Sequence, residues 1–431
     1  MLKILKTAPY LCILGILITV DTTWAAENKP KLDTGDTAWL LTSTAIVLLM
    51  TIPGVALFYA GMARKKNVLS VLMQSFTITC LISIIWMVAG YSLAFSKGES
   101  AYVGNLDLAF LDHLTVGAIN GTIPDSLFVV FQMTFAVITA ALITGSLAER
   151  IKFSALLWFV GIWSIVVYSP VTYWVWGGGF LGDAGVLDFA GGTVVHINSG
   201  IAALVACVML GKRTGYGKEN LAPHNLVLTV IGGSLLWVGW FGFNAGSALG
   251  ANGGAAMAMT VTQIAAASAG LAWMLAEWTV QKKPTVLGVV SGAVAGLVAI
   301  TPAAGFVGPK GALAIGLLAG LICFWGATSL KHKLKYDDSF DVFAVHGLGG
   351  ITGAILTGVF AVEAIGGTAG ALEGNLSQIG TQLYGIIATI IWSAVATAVI
   401  IFVIDKTIGI RVDKDAESEG LDLNQHGEMI H

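Results

Sequence analysis

Apolar runs long enough to cross a bilayer recur from Ala38 to Ile404, and they leave almost no polar stretch in which a water-soluble domain could form. Eleven can be drawn, at about 38–62, 68–95, 125–147, 153–174, 191–210, 225–246, 255–280, 285–301, 311–330, 339–361 and 380–404. In hydrocarbon every backbone N–H and C=O needs an internal partner, so runs of this length predict helices and an all-α integral membrane protein. Of the 431 residues 56% are hydrophobic and only 11% charged, which excludes an ordinary soluble enzyme. The net charge of -3 and the scattering of lysine and arginine between spans supply no patch for nucleic acid. Cys12, Cys80, Cys207 and Cys323 fall singly, without the paired spacing of a zinc or redox site, and read as small packing residues.

Residues 1–26 have the make-up of an export signal: Lys3 and Lys6, the apolar core "LCILGILITV", and small residues for cleavage near Ala25 or Ala26. The basic residues then alternate. Arg64, Lys65 and Lys66 follow the first span, Arg150 and Lys152 the third, Lys212, Arg213 and Lys218 the fifth, and the seventh, ninth and eleventh are followed likewise, whereas the even loops hold only Lys97 and Lys310. By the positive-inside rule the N-terminus is external and the C-terminus cytoplasmic.

Two polar marks stand out in this apolar background. "DFAGGTVVHINSG" opens the fifth span and "DSFDVFAVHGLGG" the tenth, each an acidic residue leading into an apolar stretch with a histidine beside small residues. Elements five spans apart run in opposite directions, so a pseudo-twofold axis in the membrane plane would bring His196 and His346 together near the midplane. This predicts two inverted five-helix repeats, 36–211 and 222–361, an extra helix at 380–404, and a polar, acidic cytosolic tail at 405–431 that lacks hydrophobic periodicity.

Ionisable groups inside spans are costly, so the histidines need a function. Two neutral imidazoles in contact can share a proton and line a polar thread through an oily channel. A metal would want a third or fourth ligand at that depth, and neither span offers one; a haem would not fit between touching histidines. No cofactor is expected. Asp188 and Asp341 each precede a helix and are expected to cap it, Asp188 adding negative potential at an external entrance. Phe131 and Phe135 share one face of the third span, Trp240, Phe243 and Ser247 lie along "WVGWFGFNAGSA", and Trp176 ends the fourth span. On spacing alone these aromatics read as core and as interfacial anchors.

Together "MTIPGVALFYAGMARKKN", "ERIKFSA", "DFAGGTVVHIN", "PHNL", "GWFGFNAGSA", "DDSFDVFAVHG" and the tail "GLDLNQHGE" resemble the ammonium transporter family, related to the Rhesus glycoproteins, over about Asp36 to Glu428. The resemblance implies a homotrimer in the bacterial inner membrane with one ammonium or ammonia pore per subunit. It assigns Trp176, Ser247 and Phe131 to an external recruitment site, Asp188 to its entrance, Phe135 and Phe243 to a gate, and His196, His346 and Trp240 to the pore lining. It also implies that the tail meets a PII-type nitrogen regulator. An ammonium sensor and a Rhesus-type neutral gas channel are the alternatives.

Overall fold

The computed structural model describes residues 31–430, and the expected export segment with Cys12 lies outside them. Ten helices among these residues are long and apolar enough to cross a membrane: α1 Thr34–Met62, α2 Lys65–Phe95, α3 Asp125–Leu147, α4 Phe153–Asp183, α5 Gly192–Leu210, α6 Leu226–Ala245, α7 Gly253–Gln281, α9 Pro309–Leu334, α10 Phe343–Phe360 and α11 Ser377–Thr407. An eleventh, α8 (Val286–Ile300), is shorter. It spans roughly 22 Å against a hydrocarbon core of roughly 30 Å, a shortfall that matters little to a helix walled in by protein. Its Gly292 and Gly296 lie against Gly270 and Ala265 of α7, where a side chain would have no room.

The two halves meet through a reciprocal contact. A methyl added at Gly200, four residues after His196, would strike the backbone of Gly347; one added at Gly350, four residues after His346, would sit 3.1 Å from the main-chain nitrogen of Ile197. Each histidine's helix therefore crosses the other at the residue following the opposite histidine, as an inverted repeat requires. Local geometry repeats as well. α5 and α10 both begin with a wide turn, over Gly192–Ile197 and Phe343–Leu348, and a third such turn, over Phe241–Ala245, ends α6. Wide turns of this kind inside helices mark functional sites in many proteins.

The polar ends need a correction. Asp338, not Asp341, matches Asp188, because it stands eight residues before its histidine and its Oδ2 accepts the Phe343 N–H at 2.8 Å. Asp341 corresponds instead to Gly191: both stand five residues before the histidine and both take left-handed φ, 59° and 105°. From that hinge the Asp341 carboxylate turns outward to Lys331 at 2.8 Å and cannot cap α10.

The tail is folded onto the bundle rather than left in solvent. Its two short helices are α12 (Lys414–Glu419) and α13 (Leu421–His426). Asp422 accepts the Leu69 and Ser70 N–H groups at 3.0 and 2.7 Å, so it caps the first turn of α2. Glu417 accepts the Thr214 N–H at 2.5 Å and pairs with Arg411 at 2.8 Å, while Leu421 is fully buried. These anchors are two acidic residues and one leucine, without period along the segment, so a search for periodic apolar positions passes over them.

Candidate functional site

The site lies where α3, α4, α5, α6 and α10 converge. Phe131 and Phe135, one turn apart on α3, touch edge to face with ring centres 5.1 Å apart. Phe135 stacks on Phe243 of α6 at 4.1 Å and 22°. Both rings are essentially buried, and no polar side chain interrupts the stack. Phe243 lies within the wide turn at the end of α6 and is buried there.

On one side of the stack is a cavity of about 350 Å³, lined by Phe95, Phe128, Gln132, Phe135, Val175, Trp176, Phe189, Ser247 and Leu249. Trp176 meets Phe135 at 5.9 Å and 88°, and its indole N–H donates to the main-chain oxygen of Asp188 at 2.8 Å. The Ser247 hydroxyl donates to the Phe243 carbonyl at 2.8 Å, which leaves its oxygen lone pairs available. Phe131 stands behind Phe135 rather than in the cavity wall. The Oε1 of Gln132 is buried without a partner, and this acceptor, together with Phe95, Phe128, Phe189 and Leu249, was not singled out from sequence.

Asp188 is turned away from that cavity. Its four accepted bonds run to the N–H groups of Gly191, Gly192, Thr193 and Val194, at 2.6 to 3.0 Å, and the side chain is 6% exposed. Burial pushes its carboxyl up from the ordinary value, and the four N–H groups oppose that rise. The expected cap is therefore present. The side chain orders the first turn of α5, and its carbonyl holds Trp176.

On the other side of the stack the two histidines face each other, Nδ1 to Nδ1 at 3.2 Å, with ring centres 5.2 Å apart. Such a contact requires one nitrogen bearing hydrogen and one bare, so the pair holds a single bridging proton. Trp240 lies over His196 at 5.3 Å and 23°, and its own N–H is fixed by Thr301 at 2.9 Å. Phe243 lies 6.0 Å from His196, so stack and imidazoles are continuous. The Nε2 of His196 is buried and free of partners. Beyond the pair, Val55, Phe58, Tyr59, Ile138, Leu142, Leu236, Trp240, Val294 and His346 enclose a narrow space of about 10 Å³, enough for a single small molecule. Among the described residues, no three His, Cys, Asp or Glu side chains group closely enough to hold a metal.

An aromatic cavity, a closed ring pair and two imidazoles in series among apolar helices fit a polytopic membrane protein of the transporter or channel class. The sequence profile of the Ammonium Transporter Family matches residues 38–431. The ammonium transporter of Aquifex aeolicus is 48% identical over 97% of this chain and 98% of its own length. That of Bacillus subtilis is 49% identical over 92% and 98%. The crystal structure of Saccharomyces cerevisiae Mep2 superposes with a TM-score of 0.84 at 35% identity, covering 89% of each chain. A structure titled "Sensor Amt Protein" gives 0.85 at 29% identity over 91% of this chain and 98% of that one. The chain belongs to the ammonium transporter family.

Proposed function

We propose that the protein takes up ammonium by recruiting the cation in the aromatic cavity, stripping one proton there, passing neutral ammonia between the phenylalanines and along His196 and His346, and relaying the released proton inward separately along the same two imidazoles, so that one positive charge accompanies each ammonia. The observation that carries the reading is the Nδ1 contact of 3.2 Å between two buried histidines placed directly behind a dry phenylalanine stack. In the cavity the ring faces of Trp176 and Phe135 attract a cation, and the Ser247 oxygen accepts one of its four hydrogens. Beyond it a bare ion would face an idealised desolvation penalty on the order of 20 kcal/mol, whereas ammonia has only a few hydrogen bonds to replace. Deprotonation at the stack therefore lowers the barrier, and the free His196 Nε2 offers the first polar partner on the far side. Potassium has no proton to lose and is refused.

The alternation of basic loops supports an orientation with the Trp176 end outside and the tail in the cytoplasm of a cell (inner) membrane protein. All site residues come from one chain, which suits a homotrimer with one pore per subunit. The docked tail presents α12 and α13 beside the cytoplasmic mouth, where a PII-type regulator would bind; deleting residues after Ile410 is expected to abolish retention of PII protein on a pull-down.

Purified protein in proteoliposomes tests the main reading. An ammonium pulse is expected to give an inward current and an equal potassium pulse none. Ammonium uptake without current would make the route a neutral gas channel, in which the released proton stays outside. The sensor reading draws on the 29% identical sensor structure, and growth on low ammonium separates the two: rescue by the wild type but not by a pore-blocked variant identifies transport.

A further inference from the structure

α11 stands outside the two repeats, yet it carries the best-satisfied buried amide near the site. Gln382 is 1% exposed. Its Oε1 accepts the Leu187 N–H at 2.7 Å, and its Nε2 donates to the Leu187 carbonyl at 2.8 Å and to the Ala354 carbonyl of α10 at 3.2 Å. One side chain thus pairs with both main-chain groups of Leu187, as a neighbouring strand would, and reaches the second repeat with its remaining hydrogen. One turn earlier, Gln378 donates to the Gly185 carbonyl at 3.0 Å and to Gln382 Oε1 at 3.3 Å. Further along, Ser393 donates to the Asn198 carbonyl at 2.8 Å, two residues past His196. α11 therefore grips the His196-bearing segment on both sides.

The residue after Leu187 is Asp188, whose carbonyl holds the Trp176 indole and whose carboxylate orders the turn leading to His196. Fixing both main-chain groups of residue 187 fixes the peptide planes on either side of it and so the position of the Asp188 Cα; the next plane, which carries the Asp188 carbonyl, is held at its far end by the Phe189 N–H donating to the Pro302 carbonyl at 3.2 Å.

We propose that Gln382 is a positioning residue for ammonium recognition: by clamping Leu187 it places the Cα of Asp188, from which the carbonyl that holds the Trp176 ring in the outer cavity is hung. The assignment rests on the recruitment role of that cavity. Its consequence is specific, because a displaced Trp176 weakens capture of the cation before it alters passage through the stack.

Gln382→Leu removes the whole clamp, whereas Gln382→Glu keeps the acceptor for the Leu187 N–H and loses the donor to the two carbonyls. Full-length variants in proteoliposomes are compared with wild type and with Trp176→Leu by half-saturation for ammonium and by maximal rate per folded protein. Both Gln382 variants are expected to raise half-saturation, the leucine variant about fivefold and the glutamate variant less, with maximal rate within about twofold of wild type. Normal half-saturation in the Gln382 variants beside a raised value in Trp176→Leu overturns the positioning role and leaves the recruitment site intact. Loss of folded protein from both Gln382 variants marks the residue as scaffold and overturns it too. Normal half-saturation in Trp176→Leu overturns the recruitment site itself.

Discussion

Trp176 hangs on one bond, from its indole nitrogen to a main-chain oxygen, and offers the rest of its surface to the cavity. A cation held over such a ring gains roughly 1 kcal/mol where water still reaches it, so Trp176→Leu should raise half-saturation about fivefold and leave maximal rate nearly intact. Steady-state currents across a range of ammonium concentrations check this. The histidines predict the opposite split. Replacing His346 with alanine removes the ring nitrogen that meets the His196 imidazole, so discrimination against potassium should fall with little change in half-saturation; an unchanged potassium response would leave the pair without its role. Much of this was legible in the residues. Buried histidines are rare enough to stand out in "GTVVHIN" and "FAVHGLG". Gln132 was not legible, because one amide among apolar neighbours looks the same in sequence whether it faces lipid, core or cavity.

Elements carry the symmetry. α5 and α10 cross where glycine allows backbone against backbone, so Gly200→Val should drive its branches into Gly347 and separate the two imidazoles. The expected result is a loss of stability of roughly 1–3 kcal/mol with activity abolished, read by thermal unfolding in detergent and by uptake. Capping differs between the halves only in detail, and that detail misled the reading of "DDSFDVFAVHG". Three aspartates stand within five residues there, each a plausible cap by type. The hydrogen bond goes to Asp338, since only a residue eight before the histidine points at the free N–H groups of the first turn. The tail is polar and unpatterned in sequence; its order comes from Asp422 and the Leu421 N–H, which both meet the start of α2, and from Glu417, which meets the loop at Thr214.

At the scale of the molecule the layer on the side of the tail joins the repeats through charge. Glu149 accepts from Arg64 at 2.8 Å and from Arg213 at 3.1 Å, and Arg213 also pairs with Asp337 of the second repeat at 2.8 Å. Burial works against ionisation of Asp337, but the hydrogen bonds and charge of Arg213 hold its carboxyl below the usual carboxylate range. Its contribution is therefore complete above the unfolded-state value of about 4 and is lost as pH falls through the lower folded value. Removing one partner of a buried pair strands the other, so Arg213→Ala should cost roughly 3–5 kcal/mol, again read by thermal unfolding. Asp338 behaves in the reverse sense. Burial pushes its carboxyl up to about 6, with Lys331 only partly offsetting it. Ionised Asp338 thus destabilises the fold above pH 6, and the penalty disappears as pH falls from there toward the unfolded value of about 4. Asp338→Asn retains an acceptor for the Phe343 N–H and should raise stability at pH 7.5 by on the order of 2 kcal/mol, with a flatter pH profile between 4 and 6.

The eleven spans and the two histidine marks follow from sequence alone, because a bilayer admits few backbone solutions and ionisable residues inside it are costly enough to stand out. Tertiary structure decided which carboxylate caps α10, which polar side chains meet the outer cavity, and that α11 and the tail are clamps. These depend on single hydrogen bonds between residues up to 354 positions apart, such as that from the Leu421 N–H to Asn67, and no local pattern encodes a contact across that distance.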